Sequence, residues 1–275
     1  MKVALIQMNS DNDKAANLVQ ARELMEQAIR EDRPDWLLLP EVWDFMGGST
    51  AQKKAAAEEL PGGPAWTLCR DIAREHKVFV HAGSILEKVS GEERLHNTTV
   101  AFNRSGDEVA RYRKIHLFDI TTPDGQDYKE SANFAPGDAV VTYDCDGVTI
   151  GCSICYDLRF PELFQALARK GAQMIALPAA FTLQTGKDHW EVLLRARAIE
   201  TETYVCAAAQ TGSHNAGNER RACYGHSLVI DPWGHVVAKA SDGVGTAASR
   251  IDPKRVATVR QQIPVAQHKR PELFA

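Results

Sequence analysis

Short apolar runs rich in Val and Ile alternate along the chain with segments of helical period, and this alternation restricts the fold to strands interleaved with helices. Strands are read at residues 3–8, 36–39, 78–85, 97–103, 108–114, 140–143, 148–154, 174–177, 204–209, 226–230, 236–240 and 246–251. That is too many for one sheet of ordinary size. Runs such as 36–39 and 174–177 lack apolar/polar alternation, so these strands are buried on both faces, whereas 108–113 alternates. Helices are read where Leu18, Ala21, Met25, Ala28 and Ile29 share a face, at 66–75, after Pro161, and where Trp190, Leu193, Leu194 and Ala198 recur at helical spacing. An α/β chain with two sheets face to face and helices outside, an α-β-β-α sandwich, satisfies both patterns.

No composition shift marks a linker, so residues 1–275 are expected to form a single domain. The 32 basic and 36 acidic residues leave a net charge of -4, which offers no field for a polyanion. Nucleic acid and membrane are therefore not expected as partners. The apolar start is shorter than the core of a signal peptide, and no run approaches the roughly 18 residues that span a bilayer. Six cysteines without an export signal read as thiols, and the expected location is the cytoplasm. Three long polar or Gly-rich stretches, 44–64, 116–138 and 211–224, read as functional loops.

Several residues are placed for chemistry. Glu41, in Leu37-Leu38-Leu39-Pro40-Glu41, follows an apolar strand, where α/β folds put their sites; a solvated loop glutamate would fit the same pattern. Cys155 lies on a turn from a buried strand towards the helix after Pro161, where a helix N-terminus would favour thiolate. A buried structural cysteine is the alternative. Cys152 and Cys155 also form a C-x-x-C pair, readable as a redox motif or, with His76 and His81, as a zinc site. Lys114 ends a strand and would supply the cation that acyl transfer to a thiol needs, and Glu130 is a further carboxylate; both types are usually solvated. No His-based dyad stands out. Glu191 and Arg195 stand at i, i+4, which reads as a helix ion pair, so Arg195 and Arg197 are read as lattice rather than ligand.

Leu-Pro-Glu41, Tyr-Arg-Lys114 and Gly-Cys-Ser-Ile-Cys155-Tyr-Asp-Leu-Arg-Phe-Pro-Glu, in this order, resemble the Glu, Lys and Cys motifs of the nitrilase superfamily of carbon–nitrogen hydrolases. The run from His189 to Thr201, with Tyr224-Gly225-His226-Ser227 and Asp231-Pro232-Trp233-Gly234, resembles its amidase branch. The resemblance implies catalysis by Glu41, Lys114 and Cys155 with Glu130, an oxyanion met by Lys114 and the Tyr156 backbone N–H, and substrate contacts at Arg159, Phe181 and Thr182. It implies no metal or cofactor and a homodimer or higher homo-oligomer. The implied reaction is hydrolysis of a small carboxylate or keto-acid amide, such as deaminated glutathione, through a Cys thioester. ω-Amide, nitrile or N-carbamoyl-amine hydrolysis on the same residues is the neighbouring reading, and a C-x-x-C redox or binding protein is the non-enzymatic one. Lys187-Asp188 and the stretch from Asn215 to Arg221 depart from the branch pattern and bear on substrate choice.

Overall fold

Successive side chains of a strand leave on opposite faces, and strand Lys2–Gln7 sorts accordingly. Val3 and Leu5 enter a core shared with a second sheet, while Ala4 and Ile6 pack on helices. In strand Trp36–Leu38, Trp36 and Leu38 join the first core and Leu37 the second. Cover on both faces explains the unbroken apolar runs.

The computed structural model describes residues 1–122, 125–216 and 219–273. Its first sheet runs in the order Gly245–Arg250, Lys2–Gln7, Trp36–Leu38, Phe79–His81, His96–Phe102, Ile85–Glu87, with Glu108–Arg113 also paired to His96–Phe102. The second runs Val236–Lys239, Leu228–Ile230, Tyr204–Ala209, Met174–Ala179, Val148–Cys152, Thr142–Cys145. Each has three parallel strands at its centre and antiparallel edges. Helices Lys14–Asp32 and Pro64–His76 cover the first sheet, and Pro161–Arg169 and Leu183–Thr201 the second. This is the α-β-β-α sandwich expected from the pattern.

Polar atoms between the sheets are bonded across the gap. Trp36 Nε1 donates to Tyr143 Oη at 2.8 Å, and His81 Nδ1 lies 3.1 Å from the same oxygen. Burial pushes His81 down to about 3, so its ring stays neutral.

The structure corrects several sequence expectations. The stretch 44–64 contains helix Thr50–Ala56, 116–138 contains the hairpin Asp119–Thr121/Asp127–Lys129, and 211–224 is largely the hairpin Thr211–Ala216/Glu219–Tyr224. These elements sit at the rim with much of their surface in water, so they lack the apolar runs that betray buried strands. Residues 123–124 and 217–218 of those stretches lie outside the described residues. Glu191 pairs with Lys239 at 3.0 Å instead of Arg195, whose Nε donates to the Gly234 carbonyl at 2.8 Å. Arg197 donates to the Leu158 carbonyl at 2.9 Å and pairs with Glu200. Helix Pro253–Gln262 buries only Val256 and Val259, too few to leave an apolar stripe in the sequence.

The expected strand 78–85 splits at Gly83 into Phe79–His81 and Ile85–Glu87. Gly83 has φ +59°. A Cβ there would lie 2.1 Å from the Pro40 carbonyl oxygen, so glycine lets the segment leading to Glu41 pass close by. Gly83→Ala is expected to lower stability by about 2–4 kcal/mol, combining left-handed strain with overpacking. Gly245→Ala, at a site with open space, is the near-neutral control. Urea denaturation of the two variants checks the difference.

Candidate active site

Strand Trp36–Leu38 ends in Leu39, Pro40 and Glu41. The chain is fixed just beyond: Val42 adopts φ +42°, unusual for a β-branched residue, and donates its N–H to Ser84 Oγ at 3.0 Å. The Glu41 carbonyl accepts from Gln210 Nε2 at 3.0 Å. Its side chain is thereby aimed into a cavity of about 340 Å³ at one edge of the sandwich.

Lys114 enters the same cavity from the end of strand Glu108–Arg113. Its backbone is held on both sides, N–H to the Asn97 carbonyl at 2.9 Å and carbonyl from the Gly137 N–H at 2.8 Å. Nζ donates to Glu41 Oε1 at 2.9 Å and to Glu130 Oε2 and Oε1 at 2.8 and 3.1 Å. Asn97 Nδ2 bridges the same carboxylates, at 2.9 Å to Glu41 and 3.3 Å to Glu130. Glu130 Oε2 also accepts the Phe118 N–H at 2.6 Å. Burial works against the Lys114 charge, but Glu130 and Glu41 outweigh it and hold the ammonium well above its ordinary range. Lys114 is therefore a permanent cation.

Cys155 faces this cluster from the second sheet. Strand Val148–Cys152 ends, Ser153 binds the Ala176 carbonyl through N–H and Oγ at 3.1 and 2.8 Å, and the Ile154 N–H donates to Asp157 Oδ2 at 2.8 Å. Cys155 then takes φ +47° and opens the 3-10 turn Cys155–Arg159. Buried Asp157 also accepts Tyr112 Oη at 2.6 Å and the N–H and Nδ1 of His116 at 3.1 and 2.7 Å. The turn is thus bolted to the first sheet, and the His116–Asp157 pair lies outside the cavity lining.

The expectation of a thiolate held by a helix N-terminus is overturned. Cys155 opens the five-residue 3-10 turn Cys155–Arg159, and the α-helix begins only at Pro161. Burial first, and then the charge of the Glu41 carboxylate, push the Cys155 thiol well up against the opposing pull of Lys114. The resting group is a thiol beside a carboxylate.

Tyr156, Arg159, Phe181 and Thr182 all line the cavity. The Arg159 guanidinium lies 6.0 Å from the Tyr156 ring centroid and 5.5 Å from that of Phe181, and 3.3 Å from His189 Nδ1. It has no carboxylate partner among the described residues. Thr182 Oγ1 is 2.7 Å from Thr185 Oγ1. Phe45, Leu86, Phe118 and Phe134 supply apolar wall. Asn97 stands near the start of strand His96–Phe102, whose first four residues are polar, so nothing in the sequence set it apart from its neighbours.

Cys152 is completely buried in the core, its thiol pushed up to about 12 by burial, and it does not line the cavity. Both cysteines of the C-x-x-C pair are free. His76 is exposed and His81 buried, and among the described residues no group of three or more His, Cys, Asp or Glu side chains is arranged to hold a metal ion. Nor, among the described residues, is any helix long and apolar enough to cross a membrane.

A layered sandwich with a thiol, two carboxylates and an ammonium meeting at its edge belongs to a recognisable class. The chain is a member of the carbon-nitrogen hydrolase family, whose model matches residues 2–261, and is an enzyme that hydrolyses carbon–nitrogen bonds. It is 42% identical over 269 residues to deaminated glutathione amidase of Synechocystis sp., covering 97% of each chain. To human omega-amidase NIT2 it is 38% identical over 274 residues, covering 100% of this chain and 96% of the relative. The crystal structure of the C. elegans NitFhit protein superimposes with a TM-score of 0.91 at 38% identity, over 100% of this chain and 66% of that one.

Two stability predictions follow from the cluster. Lys114→Met strands the buried Glu41 and the half-buried Glu130 carboxylates and is expected to cost about 3–5 kcal/mol at neutral pH. For Cys155 the folded-state pKa lies above the ordinary 9.0, so the native state keeps a proton that the unfolded state releases. Stability therefore falls as pH rises beyond about 9, and the wild type is expected to lose stability relative to Cys155→Ala between pH 8 and pH 10. Urea midpoints for the wild type and both variants, at pH 7 for Lys114→Met, measure these differences.

Proposed function

We propose that the chain is an amidase acting on a small carboxylate or keto-acid amide, such as deaminated glutathione, with Glu41, Lys114 and Cys155 as its catalytic triad and a thioester intermediate. The observation that carries this reading is the meeting, in the lining of one cavity, of the Cys155 side chain and the Glu41 carboxylate, which accepts from Lys114. Glu41 takes the Sγ proton as sulfur attacks the amide carbon. The oxyanion is met by Lys114 Nζ–H and the Tyr156 backbone N–H. Glu41 then returns the proton to the nitrogen, the C–N bond breaks, and the amine leaves the thioester behind. Water, deprotonated by Glu41, attacks the thioester; the acid departs and Cys155 regains its proton. Glu130 keeps Lys114 and Asn97 aligned during these transfers.

Arg159 supports the carboxylate part of the reading. A guanidinium on aromatic faces, without a carboxylate partner among the described residues, fits bidentate recognition of a substrate carboxylate. Phe181 and Thr182 complete that end of the cavity. The similarity to human omega-amidase NIT2 favours ω-amide hydrolysis as the second reading. A homodimer in the cytoplasm completes the proposal; exposed Val192 and Ile199 on helix Leu183–Thr201, with Trp233, are apolar surface of the kind oligomers bury.

Acid-quenched intact-mass spectrometry with a keto-acid amide is expected to show an acyl adduct on Cys155. Glu41→Gln is expected to lower kcat by about 10²–10⁴, and Cys155→Ser by at least as much. Full amidase activity in Cys155→Ala, or hydrolysis of nitriles but of no amide, contradicts the proposal.

A further inference from the structure

We infer that Lys14, which stands outside the active-site cavity, is a positioning residue for Glu41: with Asp44 and Glu58 it forms a second buried charge cluster that holds segment 41–47, one wall of the cavity, from behind. The inference rests on Glu41 being the base of the reaction proposed above.

Lys14 opens helix Lys14–Asp32, whose start Asp13 fixes by accepting the Ala16 N–H at 3.0 Å. Its Nζ donates to Asp44 Oδ2 at 3.1 Å and to the Ala56 carbonyl at 2.6 Å, and lies 2.7 Å from Glu58 Oε1. Each partner belongs to a different segment around the cavity. Asp44 follows Glu41 by three residues, and Val42, Phe45, Met46 and Gly47 all line the cavity. Ala56 ends helix Thr50–Ala56, from which Lys53 reaches the lining. Glu58 accepts the Ala65 and Trp66 N–H groups at 2.8 and 3.1 Å, and its own N–H donates at 2.8 Å to the carbonyl of Leu86, another lining residue.

The ammonium is what makes this junction tolerable. The Asp44 side chain is fully buried and that of Glu58 nearly so. Burial pushes Asp44 up to about 6 against the pull of Lys14, and the charge of Glu58 adds to the rise. Asp44 Oδ1 has no hydrogen-bond partner among the described residues, so the carboxylate leans on Lys14 through Oδ2. Without the ammonium, two like charges share a site closed to water. Asp44 then reaches water only by shifting segment 41–47, and Glu41 shifts with it.

Lys14 also lines an outer cavity of about 400 Å³ with Glu58, Glu59, Pro64 and Lys88, and among the described residues this cavity shares no lining residue with the active site. A small cation can therefore reach the Lys14 position without entering the active site.

The test measures kcat and KM for a keto-acid amide in Lys14→Ala, with and without n-propylammonium, which replaces the atoms that the substitution removes. Lys14→Ala is expected to lower kcat by about 10- to 100-fold, the cost of a base displaced by roughly 1 Å, with KM changed little. Propylammonium is expected to restore kcat saturably, whereas propanol does not, and neither raises kcat of the wild type. Lys14→Arg, which keeps the charge, and Lys88→Ala, which changes the outer cavity but not the cluster, are expected to stay close to wild type. If Lys14→Ala does not fold, Lys14→Met/Asp44→Asn, which removes both charges together, is expected to show the same loss in kcat. Wild-type kcat in the folded variant, a loss confined to KM, or a loss in Lys14→Ala that propylammonium does not reverse overturns the inference and leaves the amidase reading standing. A wild type that hydrolyses no keto-acid or carboxylate amide overturns that reading itself.

Discussion

One buried ammonium organises this molecule's site. Lys114 and Glu41 are buried and half-buried Glu130 shares the ammonium, so neither buried charge is tolerable without the other. The cluster needs three chain segments at one edge of the sandwich: the end of Trp36–Leu38, the end of Glu108–Arg113, and the turn Glu130–Ala132. The sheet supplies that convergence, and Asn97, from the strand beside Lys114's, locks the two carboxylates to a common donor. The close passage of Gly83 by Pro40 and the left-handed Val42 are local concessions that bring Glu41 into range.

The second sheet brings the nucleophile to that prearranged charge. Cys155 is strained at φ +47° and held by Asp157, which ties the turn to Tyr112 and His116 of the opposite half. Arg197 grips the turn from behind through the Leu158 carbonyl. In the proposed reaction burial and Glu41 keep sulfur protonated at rest, so the proton moves to Glu41 only as the carbon–sulfur bond forms. A carboxylate can serve as that base because the neighbouring ammonium balances it.

The layers were legible because buried strands must be apolar throughout, as in Trp36 to Leu39, and because helices such as Pro161–Arg169 begin with the proline their first turn accepts. The structure brings Glu41, Lys114, Glu130 and Cys155 together from sequence positions far apart, and motif order pointed to them. Asn97 was hidden, since it stands among His96, Thr98 and Thr99 and the pattern does not say which of these polar side chains meets the carboxylates. The rim hairpins were hidden for the opposite reason: Thr211–Ala216 and Glu219–Tyr224 are polar enough to read as loop. The Cys155 thiol is pushed up by burial first and then by a carboxylate more than a hundred residues away, and neither is visible in the local turn.

The central claim is that Cys155 rests as a thiol beside the Glu41 carboxylate and the Lys114 ammonium. Thiolate absorbance near 240 nm, recorded as the difference between wild type and Cys155→Ser across pH 6 to 10, tests it most directly. The account predicts no thiolate signal from Cys155 at pH 7 and none fully developed by pH 9. A full thiolate plateau already reached below pH 7 would contradict it.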